Sequence, residues 1–282
     1  MSLHFLGETA DIKKAKTFIL PVPYEASTTY GTNTKMGPAA IIAASQHLEL
    51  YDDELKTETA TSGIFTGAPL KPNLRKPELT VDRIQQATEK IIKSKKFPVL
   101  LGGEHTITIG AVKAAKKFYP DLSVLQFDAH ADLRNTYQQN HYSHACVMHR
   151  VRQFVHQTVA VGIRSYSQEE VAYLATAKNC RIHGTSKENL KIEKILSGLS
   201  RNVYLTFDLD VFDPAIMPSV GTPEPGGLWW DETLGILKAV CGAKCLVACD
   251  VVELTPIPGL IHADFLAAKL VYKLIGYKQR LK

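Results

Sequence analysis

The stretch LQFDAHADLR, Leu125 to Arg134, places three metal-capable side chains at every second position: Asp128, His130 and Asp132. Successive side chains of a strand point to opposite faces, so a strand running on from Val124 through this stretch turns all three toward one spot. Two carboxylates and an imidazole brought together repel and desolvate one another unless a positive charge sits among them, and a metal ion meets that need. Taken alone, the stretch also reads as a polar loop that happens to alternate, so the remainder of the chain decides.

Three further apolar runs end in the same manner. PVLL leads into Gly102-Gly103-Glu104-His105, VYLTF into Asp208-Leu209-Asp210, and CLVACDVV into Glu253. In open parallel α/β sheets, ligands bind beyond the carboxyl ends of the strands, where the connecting loops open. Runs that deliver acids and imidazoles to that edge define one candidate site. The glycine pair before His105 suits a tight turn and a close backbone approach. His105, Asp128, His130, Asp132, Asp208 and Asp210 together offer two imidazoles and four carboxylates. One divalent ion leaves that set net negative, whereas two come close to neutralising it. The donors are rich in oxygen and free of sulfur, which favours Mn²⁺ or a similar hard-to-borderline ion over structural zinc. Two such ions about 3.5–4 Å apart can share a bridging water and turn it into hydroxide near neutral pH. The expected chemistry is that of a binuclear hydrolase.

The elements that must carry these residues alternate along the chain. TVDRIQQATEKIIKSKK reads as a helix with Thr80 as N-cap and lysines in its last turn. FPVLLGGEH follows as a strand, TITIGAVKAAKKFYPD as a helix and LSVLQFDAHAD as the next strand. TVAVGIRS, SQEEVAYLATAKN, a helix around Ile192 to Leu199, NVYLTFDLDVFD, DETLGILKAV, CLVACDVVEL and the closing helix HADFLAAKLVYKLIGY continue the alternation. Strands separated by helices of this length indicate right-handed crossovers. The fold class is therefore α/β, a three-layer sandwich with a mostly parallel central sheet covered on both faces. No internal repeat, low-complexity tract or linker-like shift divides the 282 residues, so one domain over 1–282 is expected.

Composition narrows the function classes. The chain is 45% hydrophobic and 22% charged, with a mild net charge of +5 and scattered basic residues, which gives no footprint for nucleic acid. The cluster Lys93, Lys95, Lys96 falls where a helix should end and complements its dipole. No run approaches membrane-spanning length, and the start MSLHFLGETADIKK lacks a secretory pattern. Five cysteines, an odd number, do not read as a disulfide framework, and a cytoplasmic location is expected. Cys241, Cys245 and Cys249 straddle a helix, a turn and a strand, so their sulfurs should not share a face and read as buried, inert thiols.

The combination GGEHTIT, FDAHADLR, YSHACVMHR, FDLDVFDPAIMPSVGTPEPGG and DVVELTP resembles the ureohydrolase family of arginases and agmatinases. The similarity runs from PVPYEASTTYGTNTKMGPAAI to the final helix, and GTPEPGG is similar to the agmatinase branch. The resemblance implies the arginase-like fold, two manganese ions per subunit and a homo-oligomer, trimer or hexamer. It implies that Asp128 and Asp208 bridge the metals, that His105 and Asp132 complete one site and that His130 and Asp210 complete the other. Asp132 is then also the residue that holds the attacking hydroxide and passes its proton to the departing amine. Glu253 matches the glutamate that grips the guanidinium, and His144 falls where arginases carry a histidine proposed to shuttle protons. The implied reaction converts agmatine to putrescine and urea by attack of a metal-bridging hydroxide.

Other readings stand beside these. His144 lies near His141 and His149 and could be a solvated or packed ring. Glu253 could cap a helix or pair with a lysine, Asp250 reads as a group that orients a metal ligand, and Trp229 and Trp230 read as packing at a helix start. The loop YEASTTYGTNTKMGP suits the substrate side, although its residues are ordinary in turns. One departure concerns the substrate. Arginases usually place an asparagine just after the residue matching Asp132, to bind an α-carboxylate, and this chain has Leu133 and Arg134 there. Arg134 facing the pocket would repel a cationic tail and favour guanidinobutyrate; facing outward it would be neutral. Arginine and guanidinobutyrate are therefore alternative substrates. A one-metal amide hydrolase of deacetylase type is the more distant alternative.

Overall fold

The computed structural model describes residues 4–8, 10–186 and 188–281. The first strand, β1 (Thr17–Val22), is followed by helix α1 (Gly37–Ser45), a small antiparallel pair β2 (Tyr51–Asp52) and β3 (Thr57–Glu58), and β4 (Ile64–Thr66). Helix α2 (Pro77–Lys93), β5 (Phe97–Gly102), α3 (Ile107–Phe118), β6 (Ser123–Phe127), α4 (Val147–Val151) and β7 (Thr158–Val161) form the middle of the chain. Then come α5 (Gln168–Thr176), β8 (Cys180–His183), α6 (Ile192–Ser197), β9 (Asn202–Asp208), α7 (Trp230–Ala243), β10 (Cys245–Val252) and α8 (Ile261–Arg280).

Eight strands form one sheet in the order β4-β1-β5-β10-β9-β6-β7-β8, and among the described residues its pairings are all parallel. Side-chain alternation sorts each central strand between two cores. Val99 and Leu101, Leu125 and Phe127, and Leu205 and Phe207 pack with Ile41 of α1, Ile236 of α7 and Leu270 of α8. Leu100, Val124 and Tyr204 pack instead with Ile84 of α2, Val112 of α3 and Val151 of α4. Helices on both faces of a parallel sheet make the expected three-layer sandwich. The four runs that end in acids and imidazoles are β5, β10, β9 and β6, and they are contiguous at the centre of the sheet.

Three local expectations change. Helix α2 starts at Pro77, so Thr80 lies inside its first turn and is not the N-cap; its hydroxyl accepts from Asn73 N at 2.7 Å and donates to Asn73 O at 3.0 Å. Proline at the first helical position has its φ already set and no amide to leave unpaired. Strand β6 stops at Phe127, so Asp128, His130 and Asp132 are not displayed by strand alternation. Likewise β9 stops at Asp208, and Asp210 sits in a 3₁₀ turn over Leu209–Val211. Cys241 and Cys249 are buried on different elements, and burial pushes the Cys241 thiol up to about 12, but Cys245 at the start of β10 is exposed, so the expected burial does not hold for it.

The turn after β5 depends on Gly103. A Cβ there would lie 1.9 Å from the Tyr24 carbonyl oxygen, because the loop after β1 crosses directly over it. Gly103 N also donates to Val22 O at 3.0 Å and Glu104 N to Tyr24 O at 2.9 Å, so neither strand can step back without losing these bonds. Gly103→Ala should therefore lower the stability of the metal-free protein by about 2–4 kcal/mol in urea unfolding. A loss below about 0.5 kcal/mol would mean that the loop moves aside freely.

Candidate active site

The turn that follows β5 buries His105 completely, with Nε2 2.8 Å from Thr206 Oγ1 and Nδ1 turned toward the acids. Nδ1 lies 3.0 Å from Asp132 Oδ2, 3.2 Å from Asp128 Oδ2 and 3.4 Å from Asp208 Oδ2. It makes no hydrogen bond of acceptable geometry among the described residues. His130 Nδ1 lies 2.7 Å from Asp210 Oδ2 and 3.8 Å from Asp128 Oδ1. Two groups compact enough to hold an ion result, His105 with Asp128 and Asp132, and Asp128 with His130 and Asp210. They share Asp128, and Asp208 stands beside the first.

Backbone hydrogen bonds, rather than strand pleat, produce this convergence. His130 N donates to Asp128 Oδ1 at 2.6 Å, Asp210 N to Asp208 Oδ1 at 3.0 Å and Ala129 N to Asp210 Oδ1 at 2.8 Å. Each acid that ends a strand thus folds the following turn back on itself. Asp132 has a φ of +54°, in the left-handed region, and so does Glu253 at +66°. Such conformations are uncommon for residues with a side chain and gather at functional sites.

The cluster is electrostatically unbalanced without a cation. Burial, with Asp210 and Asp132 close by, pushes the Asp128 carboxyl up to about 7. Burial, with Asp210 and Asp128 close by, raises Asp208 well above its ordinary value. Burial opposes charge on His105, but the carboxylates of Asp128, Asp132 and Asp208 outweigh it and raise the ring well above 6.5. Burial opposes His130 too, yet Asp210 carries it up to about 10. Imidazole protons and carboxyl protons therefore stand where positive charge is wanted. Four carboxylates and two imidazole nitrogens, with no sulfur, are donors suited to two divalent ions of manganese type, so the residues present fit that cofactor.

A second tier of polar groups holds the first. Gln126, Thr206 and Asp250 occupy one register row across β6, β9 and β10. Gln126 Nε2 donates to Asp128 Oδ2 at 2.8 Å, and Asp250 accepts from Thr206 Oγ1 at 2.7 Å, Tyr204 Oη at 2.6 Å and Thr108 Oγ1 at 2.8 Å. Asp250 thus reaches His105 through Thr206. Arg164 donates to the carbonyls of Asp210 at 2.8 Å, Glu224 at 2.7 Å and Pro225 at 3.0 Å, and so ties the GTPEPGG loop to the Asp210 turn. Sequence reading missed Gln126, Thr206 and Arg164. A signal existed for the first two: each is a lone polar residue two positions before the strand-ending acid, in QFD and TFD.

The pocket above the cluster is walled by Thr28 to Gly31, Gly221, Thr222, Arg134, Tyr137 and His144. Glu253 lies at its floor, where Oε1 accepts from His105 N at 2.6 Å; burial and the adjacent Glu104 raise its carboxyl well above the ordinary range. Arg134 faces the pocket, with its guanidinium 5.0 Å from the centre of the Tyr137 ring. His144 Nδ1 is 3.2 Å from Ser27 Oγ. His141 and His149 bond the carbonyls of Asn135 and Leu133 and stay outside the pocket wall. Trp230 packs against Phe212 at the start of α7, and Trp229 is exposed.

The model of the arginase family matches residues 15–276. The chain is 39% identical over 273 residues to the N(1)-aminopropylagmatine ureohydrolase of Synechocystis sp., which covers 93% of this chain and 89% of that protein. It is 31% identical over 277 residues to the agmatinase of Pyrococcus horikoshii, with 96% and 95% covered. The crystal structure of the agmatine ureohydrolase of Thermoplasma volcanium superposes with a TM-score of 0.90 at 29% identity, over 99% of this chain and 96% of that one.

The electrostatic imbalance sets a pH dependence. The Asp128 carboxyl, raised to about 7 from 3.8, favours the fold at low pH, and that contribution is lost as pH rises toward 7. A divalent ion keeps the carboxylate ionised and removes the loss. The gain in melting temperature on adding manganese to chelator-treated protein should therefore be larger at pH 8 than at pH 5.5. A gain that is constant across this range, or absent, would mean that the acids are not balanced by the added ion.

Proposed function

The chain belongs to the arginase family and is a hydrolase of amidine C–N bonds, and we propose that it releases urea from an agmatine-type guanidine, using two manganese ions per subunit. The observation that carries this reading is the pair of donor groups sharing Asp128, directly beside Glu253 at the pocket floor. A shared carboxylate favours two ions over the single ion of a deacetylase-type site. His105, Asp128 and Asp132 with Asp208 would hold one ion, and Asp128, His130 and Asp210 with Asp208 the other. Bound there, the ions supply water activation and stabilise charge developing on oxygen.

The protein's own groups supply the rest. Guanidinium is planar and resists attack, so its plane must be fixed; the Glu253 carboxylate can take two of its N–H groups in a fork. Glu253 is held for this by its bond from His105 N and by Glu253 N donating to Gly103 O at 2.9 Å. Asp132 borders both the first donor group and the pocket, so it can receive a proton from the attacking water and give it to the departing nitrogen. Water adds to the guanidinium carbon, the carbon–nitrogen bond to the tail breaks, and the nitrogen leaves protonated, giving urea and an alkylammonium ion. Putrescine is that product for agmatine.

The tail is the open choice. Relatives named for N(1)-aminopropylagmatine reach higher identity than those named for agmatine, which favours the longer, doubly cationic tail. Glu224, partly exposed in GTPEPGG and 3.8 Å from His130 Nε2, supplies an anionic partner near the site. Arg134 in the wall supports a second reading, a carboxylate-tailed guanidine such as guanidinobutyrate or arginine. Assembly as a homo-oligomer, trimer or hexamer, and a cytoplasmic location belong to the same proposal; no helix among the described residues is long and apolar enough to cross a membrane.

Urea release from manganese-loaded protein, compared as kcat/KM over N(1)-aminopropylagmatine, agmatine, guanidinobutyrate and arginine, tests the reading. The two cationic substrates should exceed the carboxylated ones by on the order of 10²-fold, because a carboxylate without partners is desolvated at a cost of several kcal/mol. Arg134→Ala should then raise kcat/KM for the cationic substrates by less than about tenfold. A clear preference for guanidinobutyrate, abolished by Arg134→Ala, would transfer the assignment to the second reading. No urea from any of the four would refute both.

A further inference from the structure

We infer that Glu104 and Ser27 are positioning residues that fix which nitrogen of His144 carries its proton, leaving the other nitrogen bare. Glu104 is fully buried and directly precedes His105, yet its side chain turns to the loop after β1. Its Oε1 accepts from Ser27 N at 2.6 Å and from Ala26 N, and its Oε2 accepts from Ser27 Oγ. The Ser27 hydroxyl donates to Glu104 Oε2, so its single proton is committed there. That leaves Ser27 Oγ with two lone pairs and no proton to offer another partner. His144 N donates to Oγ at 3.1 Å, and His144 Nδ1 lies 3.2 Å from it. With no hydrogen remaining on Oγ to offer, Nδ1 must itself be the donor.

The neutral ring therefore carries its hydrogen on Nδ1 and a lone pair on Nε2. Nε2 is on the side of the imidazole away from Ser27, and the His144 side chain lines the pocket. A bare nitrogen there accepts a proton, whereas the opposite tautomer would present an N–H and could only donate. Ser27 is thus the pivot between a buried acid beside the proposed metal ligands and a ring at the pocket wall. It belongs to the YEAST segment, whose turn-like composition left its role open.

Only the kinetic consequence rests on the proposed hydrolysis; the tautomer does not. Zinc-loaded protein labelled with ¹⁵N-histidine, with the His144 signals identified by their loss in His144→Gln, should show a protonated Nδ1 and an unprotonated Nε2 at pH 8 in long-range ¹⁵N–¹H spectra. In Glu104→Gln the amide oxygen stays with the two backbone N–H groups and the NH₂ turns to Ser27 Oγ. The Ser27 proton is then redirected to Nδ1, and the ring hydrogen moves to Nε2. Ser27→Thr keeps the wild-type tautomer, and Ser27→Ala loses the preference for Nδ1. In manganese-loaded Glu104→Gln, kcat for urea release should fall on the order of tenfold or more, with KM within about twofold. If Glu104→Gln does not fold, Ser27→Ala decides the matter. A wild-type ring with hydrogen on Nε2 or on both nitrogens, or an Nδ1–H unchanged in the variants, overturns the assignment. The expected spectra with unchanged turnover would leave the tautomer standing and remove His144 from the reaction.

Discussion

Mutual repulsion among buried acids is the constraint around which this structure is organised. Four carboxylates and two imidazoles are brought together at the ends of the central strands, largely away from water. Water would screen such a group; a protein interior does not. Left to themselves the acids take up protons and the imidazoles hold theirs, the response seen in the raised Asp128, Asp208, His105 and His130. A scaffold that keeps the donors in place despite this opposition has to be stiff and has to come from the best-anchored part of the fold. The middle of an eight-stranded parallel sheet, clad on both faces, meets both demands.

Stiffness is supplied by polar groups inside the apolar layers. Gln126, Thr206 and Asp250 form a row in which each buried group has a partner, so the row adds rigidity without leaving unpaired atoms. Arg164 has a comparable role on the opposite side, where its guanidinium bonds backbone carbonyls rather than a carboxylate partner. Its charge still offsets neighbouring acids, since Asp210 is held low, against its burial, by His130, by Ala129 N–H and by Arg164. Geometry and electrostatics are thus stabilised by the same residues.

The residues that converge were legible in the sequence because an apolar run that closes on acids and imidazoles, repeated four times, is a pattern that packing alone does not produce. The layer architecture was legible because strand and helix periods differ. The mechanism of convergence was not: alternation in Asp128, His130 and Asp132 suggested a strand, but β6 ends at Phe127 and turns closed by carboxylates bring the three together. Strands β1, β4 and β8 escaped notice; β4 and β8 are only three and four residues long. Thr80 has the side chain of a cap, but the helix begins three residues earlier, at Pro77. Ser27 and Glu104 lie 77 residues apart and meet only through the crossing of two strand-end loops, a relation that no local pattern encodes. Arg134 was recognised as decisive, but its orientation depends on where Tyr137 sits.

The strand order has a bearing on how the chain is made. β9 and β10 come late in the sequence but fill the space between β5 and β6, which are synthesised much earlier. Until the last third emerges from the ribosome, β5 and β6 each present an unpaired edge, and both are buried along their whole length in the finished fold. Such edges pair readily with other chains. The nascent protein is therefore most vulnerable to aggregation over the interval between the appearance of β6 and that of β10. The two strands that bring Asp208 and Glu253 to the candidate site also seal the sheet, so a chain halted before β10 is left unsealed as well as without Glu253.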